Sequence, residues 1–253
     1  EQKLIIAKCC YSNGDYDYAM DILKSIIPEK IQSNQRYNYN YLYGCVCFIK
    51  MKALQAEHFF REAIKYSVDD NNAIAAYNML HLSILESDSD RSKAQKIFDQ
   101  TVEKYPSNPP AMAYLLKCCT YYYSGERSLR YLTKALELAQ QSQDTLNEAY
   151  IYNSLGIEYF RTGQQNLGFE NLRRSRDILK NLRPHEIAYP LCNLASCTLH
   201  TKNYKQALKY LAEAEFWVAS PYIKMVNKVL TFSCYNLEKE DSECQKRATW
   251  LLN

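Results

Sequence analysis

The sequence is poor in the residues from which catalytic and phosphate-binding centres are built. Only six glycines occur in 253 residues, and neither GxxxxGKS/T nor GxGxxG is present, which argues against nucleotide hydrolysis by this chain. The four histidines, His58, His81, His185 and His200, show no paired spacing. No serine carries an elbow motif, and no cysteine stands in a known nucleophile context. The carboxylates Glu238, Glu240 and Asp241 read most simply as a solvated helix end and loop. We therefore expect no catalytic residue, no metal and no cofactor. The sequence has no apolar run of membrane-spanning length, leader or lipid-attachment motif, so nothing directs it to a bilayer. A net charge of +3 falls short of the basic footprint of nucleic-acid binders. A basic run does occur along one helix, Arg173, Arg174, Arg176, Lys180 and Arg183, and reads as a solvated surface, the sharper option being a dock for an acidic protein patch.

What is abundant is core material. Hydrophobic residues make up 47% of the chain and charged residues 23%, enough for a continuous core rather than a disordered segment. The pattern of that material is clearest in the stretch from Tyr150 to Ser175. There Tyr152, Leu155, Gly156 and Tyr159 share one helical face, and Leu172 and Ser175 continue it on a second helix beyond a turn at Gly163. The physical requirement is close approach of two helices. Gly156 and Gly168 let the axes come together, and Leu155, Tyr159 and Leu172 fill the space around them.

The unit recurs. Ala19 with Leu23, Ala56 with Phe60 and Ala63, Ala94 with Phe98, Ser128 with Leu132 and Ala135, and Ala207 with Leu211 and Ala214 repeat the second-helix signature. First-helix counterparts precede most of them, as Ile6-Ala7, Tyr43-Gly44, Leu115-Leu116 and Leu194-Ala195. The small residue falls at positions 19, 56, 94, 128, 168 and 207. The third unit matches least well, at Leu80, His81 and Leu82. Turns are expected at Gly14, Gly125 and Gly163, and close-packing slots at Gly44, Gly156 and Gly168. Alternate tyrosines from Tyr37 to Tyr43 could suggest a strand, but Leu42, Val46 and Ile49 continue them as a helix. Helix starts are expected at Asp69-Asp70-Asn71, Ser89-Asp90 and Asn108-Pro109-Pro110, and Asp144 and Ser220-Pro221 mark further breaks.

This pattern resembles the tetratricopeptide repeat (TPR), W-x2-L-G-x2-Y followed by small, large and small residues, with Tyr152 in place of Trp and Gly168 in place of the usual Ala. Most intervals exceed the 34-residue standard. The resemblance implies an all-α, TPR-like α-solenoid, a right-handed superhelix of about six to seven helix-turn-helix repeats. Residues 1–253 are read as one such domain, since each hairpin needs its neighbours to bury its faces. Because the chain starts at Glu1 within the first hairpin, it is expected to be a fragment of something longer.

Registered on the repeat, Cys10, Cys47 and Cys119 share one first-helix position, and Cys9, Cys118 and Cys197 share the one before it. A zinc site would want CxxC spacing with a second pair nearby. The shared register instead points to a small apolar slot filled by thiols, and so many unpaired thiols imply a reducing, cytoplasmic setting.

For function the resemblance implies recognition of a protein or peptide in a concave groove lined by first helices. Carried over position by position, the groove residues are Tyr41, Phe48 and Ile49, then Lys117 and Tyr121, then Asn153, Phe160 and Arg161, then Asn193, Ser196 and His200. Rings supply contact area at low entropic cost and amides bridge backbone groups, a mixture suited to a protein surface. The clamp by which some TPR proteins hold a chaperone's terminal carboxylate is missing, since Leu4, Lys8 and Leu42 occupy its places. The style of the repeats is similar to the sensor regions of bacterial STAND NTPases, including those of antiviral defence. In that reading the chain binds a foreign protein and a separate nucleotide-binding module responds by oligomerising. The other reading is a peptide receptor or a constitutive scaffold for complex assembly.

Overall fold

The structure is a computed structural model that describes residues 2–88, 91–105, 110–217 and 221–252. Among the described residues there are thirteen α-helices and no strand. They group into two compact units, Glu1–Tyr122 and Tyr123–Asn253.

The first unit holds α1 (Gln2–Ser12), α2 (Tyr16–Lys24), α3 (Arg36–Ile49), α4 (Ala53–Lys65), α5 (Asp70–Asp88), α6 (Arg91–Lys104) and α7 (Ala111–Lys117). Short 3₁₀ turns at Pro28–Lys30 and Ser33–Gln35 connect α2 to α3, and another at Cys118–Tyr121 extends α7. In the second unit lie α8 (Gly125–Gln141), α9 (Thr145–Arg161), α10 (Gln165–Leu182), α11 (Ala188–His200), α12 (Tyr204–Trp217) and α13 (Pro221–Leu252). Within each unit a first helix packs on its own second helix and on the first helix of the next hairpin, as α1, α2 and α3 do, and α9, α10 and α11. This nearest-neighbour order is what a helical solenoid requires. The tyrosine-rich segment is the helix α3, as its periodicity predicts.

The notches that the sequence marks are real. A Cβ built on Gly156 would stand 2.5 Å from Cγ of Leu172, and one on Gly168 would stand 2.9 Å from the carbonyl oxygen of Gly156. On Gly44 it would meet the ring of Phe60 at 2.6 Å. Ala19, Ala56, Ala94 and Ala207 fill the equivalent second-helix position, each fully buried. The residue seven places beyond the first-helix notch closes the hairpin in the left-handed region. It is Gly14 and Gly163 in two hairpins but Met51 (φ 55°) and Lys202 (φ 58°) in two others.

Helix starts follow local chemistry. The side chains of Asp15, Asp69 and Asp144 accept the backbone N–H of Tyr18, Asn72 and Asn147, satisfying donors that the first turn leaves open. Pro110 immediately precedes α7 and Pro221 begins α13. The expected starts at Ser89-Asp90 and Asn108-Pro109, and the break at Ser220, lie outside the described residues. Glu238 belongs to the interior of the 32-residue helix α13, not to a helix end and loop as expected, because the apolar spacing of Ile223, Val226, Leu230 and Cys234 carries the helix on past it.

The third hairpin matches the pattern weakly for a physical reason. Fully buried His81 and buried Asn78 stand where the fifth hairpin has Leu155 and Tyr152. His81 Nδ1 lies 2.7 Å from the Tyr122 hydroxyl and Nε2 lies 3.0 Å from Asn78 Oδ1. A carbonyl oxygen only accepts, so Nε2 donates to Asn78 and Nδ1 accepts from Tyr122. A satisfied polar chain thus replaces apolar packing.

Most cysteines occupy small slots in the helix packing: Cys47, Cys118, Cys119 and Cys197 are buried, as their shared register suggests. Cys9 is exposed and Cys10 only half-buried, because both lie on the part of α1 that α2 and α3 leave uncovered.

Candidate protein-binding cleft

In the first unit the first helices α1, α3, α5 and α7 converge on a cleft of about 790 Å³. Tyr11 from α1, Tyr37 and Tyr41 from α3, and Tyr114 from α7 supply its rings. Tyr41 is held from behind: it stacks on Tyr37 at 5.5 Å and meets the buried Phe60 edge-on at 5.8 Å. The Tyr37 hydroxyl donates to the carbonyl of Asn72 at 3.0 Å, tying α3 to α5. Rings anchored in this way present area without losing further freedom when something binds.

The polar lining is sparse. Gln35, Asn38 and Asn72 contribute amides, and Lys8 is the one charged residue among those lining the cleft. Burial pushes the Cys45 thiol up to about 12, while hydrogen bonds from Tyr11 and Tyr41 work in the opposite direction. The Tyr114 phenol is likewise pushed up to about 12 by burial. Tyr11, Tyr37 and Tyr41 are raised well above the usual phenol range, chiefly by burial and then by the nearby Cys45. The rings and the thiol therefore stay neutral at physiological pH. Such a surface has apolar area, neutral hydrogen-bonding groups and a cation, and it can hold a ligand by shape. It presents no nucleophile paired with a base.

A second, smaller pocket of about 290 Å³ shares Leu4 and Gln35 with the cleft. It lies between α1 and the connector from α2 to α3, lined by Ile26, Ile27 and Ile31 together with Lys3 and Lys30.

Of the residues expected from sequence in the first unit, Tyr41 lines the cleft. Phe48 is half-buried and Ile49 exposed near the end of α3, where they do not line it. The Lys117 ammonium sits 4.1 Å from the centre of the Tyr114 ring, and Tyr121 is exposed on the 3₁₀ turn beyond α7. In the second unit the expected residues pair across neighbouring first helices. Asn193 Nδ2 donates to Asn153 Oδ1 at 2.8 Å, and the Phe160 and His200 rings lie 6.0 Å apart. Ser196 lies half-buried one turn beyond Asn193. Arg161 is exposed and reaches the buried Glu158 at 3.6 Å.

Leu4, Lys8, Tyr11 and Tyr114 were not among the groove residues expected from sequence; Leu4 and Lys8 entered only as occupants of the missing clamp's places. Three of these were within reach: the register that selects Tyr41, Lys117 and Phe48 selects Leu4, Lys8 and Tyr11 on α1. So was Tyr114, which stands two residues before Leu116 as Asn193 does before Ala195, and which the packing of α7 against α5 brings to the cleft.

No protein-family profile matches the sequence, and no curated protein is similar to it in sequence. Solved structures are similar in shape. A Rap protein complexed with Competence and Sporulation Factor superposes with a TM-score of 0.65 at 14% identity, over 87% of this chain and 68% of its own. A STAND (signal transduction ATPase with numerous domains) protein with a tetratricopeptide repeat sensor, from Pyrococcus horikoshii, superposes with a TM-score of 0.64 at 15% identity. It covers 99% of this chain, which spans only 42% of that protein. BtubC from P. vanneervenii gives 0.61 at 15% identity, over 81% of this chain and 88% of its own. Identities this low speak for the fold alone, a TPR-like helical solenoid.

Proposed function

We propose that residues 1–253 form a non-catalytic protein-recognition domain that grips a segment of a protein partner along its first helices. The observation that carries this reading is the convergence of α1, α3, α5 and α7 on one ring-lined cleft with a single charged residue. Its volume lies within the range of about 300–1,000 Å³ in which specific sites are found. The paired Asn153 and Asn193, with Phe160, Arg161, Ser196 and His200, offer a further contact surface on the second unit's own first helices. The nine cysteines from Cys9 to Cys234 are free thiols, which favours a reducing, cytoplasmic setting.

The broader role we propose is ligand sensing within a larger signalling or defence NTPase that responds to a foreign protein. The STAND protein with a tetratricopeptide repeat sensor, part of which superposes on 99% of this chain, supports it. Binding free energy would then bias a distant module toward its active state. A Rap protein of the same fold, solved with a bound factor, supports the narrower alternative of a peptide receptor.

Site-directed photocrosslinking tests the first claim. A benzoylphenylalanine at position 114, in the cleft, should give a discrete adduct in cells, and one at position 54, exposed on the second helix α4, should not. Equal adducts from both positions would refute the cleft as the binding surface. Footprint then separates the two roles. A sensor of a folded protein should lose affinity with Asn193→Asp and His200→Glu as well as with Tyr114→Ala, whereas a peptide receptor should respond to changes in one unit alone.

A further inference from the structure

The pattern of charge around the cleft specifies the partner more closely. Lys8 lines the cleft, Lys3 and Lys30 line the pocket that adjoins it through Leu4 and Gln35, and no carboxylate lines either. Lys3 is fixed in place, its ammonium donating to the carbonyl of Ser25 at 3.2 Å and to its hydroxyl at 3.0 Å. Lys3 and Lys8 are five residues apart on α1, a rise of about 7.5 Å and a rotation of about 140°. One carboxylate therefore does not meet both. The two cationic stations are separated by apolar and aromatic lining, with Leu4 between them and the rings of Tyr41 and Tyr114 beyond.

Building on the cleft reading above, we propose that the ligand is an extended protein segment in which acidic side chains flank a large apolar residue. One carboxylate faces Lys8 and another faces Lys3 and Lys30, while the apolar side chain lies against the tyrosines. Asn38 and Asn72 also line the cleft; the Asn72 side-chain nitrogen donates to Asp69 at 3.1 Å, so the segment's backbone would pair with Asn38. A segment ending in a single free carboxylate would satisfy one station and leave the other unmatched.

The test selects random twelve-residue peptides, displayed without a free C-terminus, against the 253-residue chain. A parallel selection uses the triple variant Lys3→Glu, Lys8→Glu, Lys30→Glu, whose substitutions lie at exposed positions. Peptides won by the unaltered chain should be enriched in Asp and Glu on both sides of Leu, Phe or Trp. They should bind the triple variant about tenfold more weakly, as three exposed ion pairs together imply, and the variant should select Lys- and Arg-bearing peptides instead. Affinity for the acidic peptides should fall with added salt and with Tyr114→Ala, at a partly exposed ring. Peptides that depend on Tyr114 but show no acidic enrichment and no response to the lysine changes would overturn the charge proposal and leave the cleft reading standing. Acidic peptides indifferent to Tyr114→Ala would overturn the cleft reading itself. Failure to select any binder would overturn both.

Discussion

Lowering the pH tests the buried polar chain of the third hairpin. His81 is fully buried, with both ring nitrogens engaged by Tyr122 and Asn78 and its ring edge-on to Phe98 at 6.0 Å. Burial pushes its pKa down from 6.5 to about 3. The unfolded chain accepts a proton below pH 6.5 that the folded chain refuses until about pH 3, so stability falls as the pH is lowered through that window. At pH 5 the unfolded imidazole is about 1.5 pH units below its own pKa, which corresponds to about 2 kcal/mol lost relative to pH 7.5. In urea that moves the midpoint by about 1 M for an m-value near 2 kcal/mol/M. The assay is urea unfolding at pH 7.5 and pH 5, followed by circular dichroism, for the unaltered chain and for His81→Gln. The substitution weakens ring packing at both pH values, so the readout is the difference between them, which should shrink by about 2 kcal/mol in the variant. An equal pH-dependence in the two proteins would show that His81 accepts its proton in the folded state, and the proposed hydrogen-bonded chain would be wrong.

Two further predictions concern the repeat frame. Gly168→Ala gains about 1 kcal/mol of helix propensity, but its Cβ meets backbone at 2.9 Å and 3.2 Å, which no side-chain rotation relieves. At an overpacking cost of about 1–3 kcal/mol, the urea midpoint should fall, and a rise would refute the close-packing role of Gly156 and Gly168. Met51→Gly should stabilise the first unit by about 0.5–1 kcal/mol, because a left-handed conformation costs methionine what it does not cost glycine. Thermal unfolding measures the gain, and unchanged or lower stability would mean that Met51 does not occupy that conformation.

Much of the helical frame was legible because it depends on residue size at fixed spacing. Gly156 and Gly168 stand where two backbones come close, Gly44 makes room for the Phe60 ring, and the four alanines at the second-helix position are fully buried. The left-handed turns at Met51 and Lys202 carry no glycine to announce them, yet they follow from counting seven residues past the notch. The third hairpin was blurred because Asn78 and His81 fill positions that size patterns assign to apolar residues, and their partner Tyr122 lies far along the chain. The candidate site was read less well. Tyr41, Asn153 and Asn193 were carried over as groove residues, but on α1 Leu4 and Lys8 were taken only as evidence against a clamp, and Tyr11, in the register of Phe48, was passed over. Tyr114 holds in its hairpin the place of Asn193 and was also passed over; that it reaches the cleft depends on how α7 meets α5, a relation that single-helix periodicity does not encode.

Hydrogen–deuterium exchange of the chain with and without a bound protein segment tests the central claim most directly. The account predicts that binding slows exchange in the first unit along α1, α3 and the start of α5 and leaves α2, α4 and α6 unchanged. Protection confined to α2, α4 and α6, with the first helices exchanging as in the free chain, would contradict it.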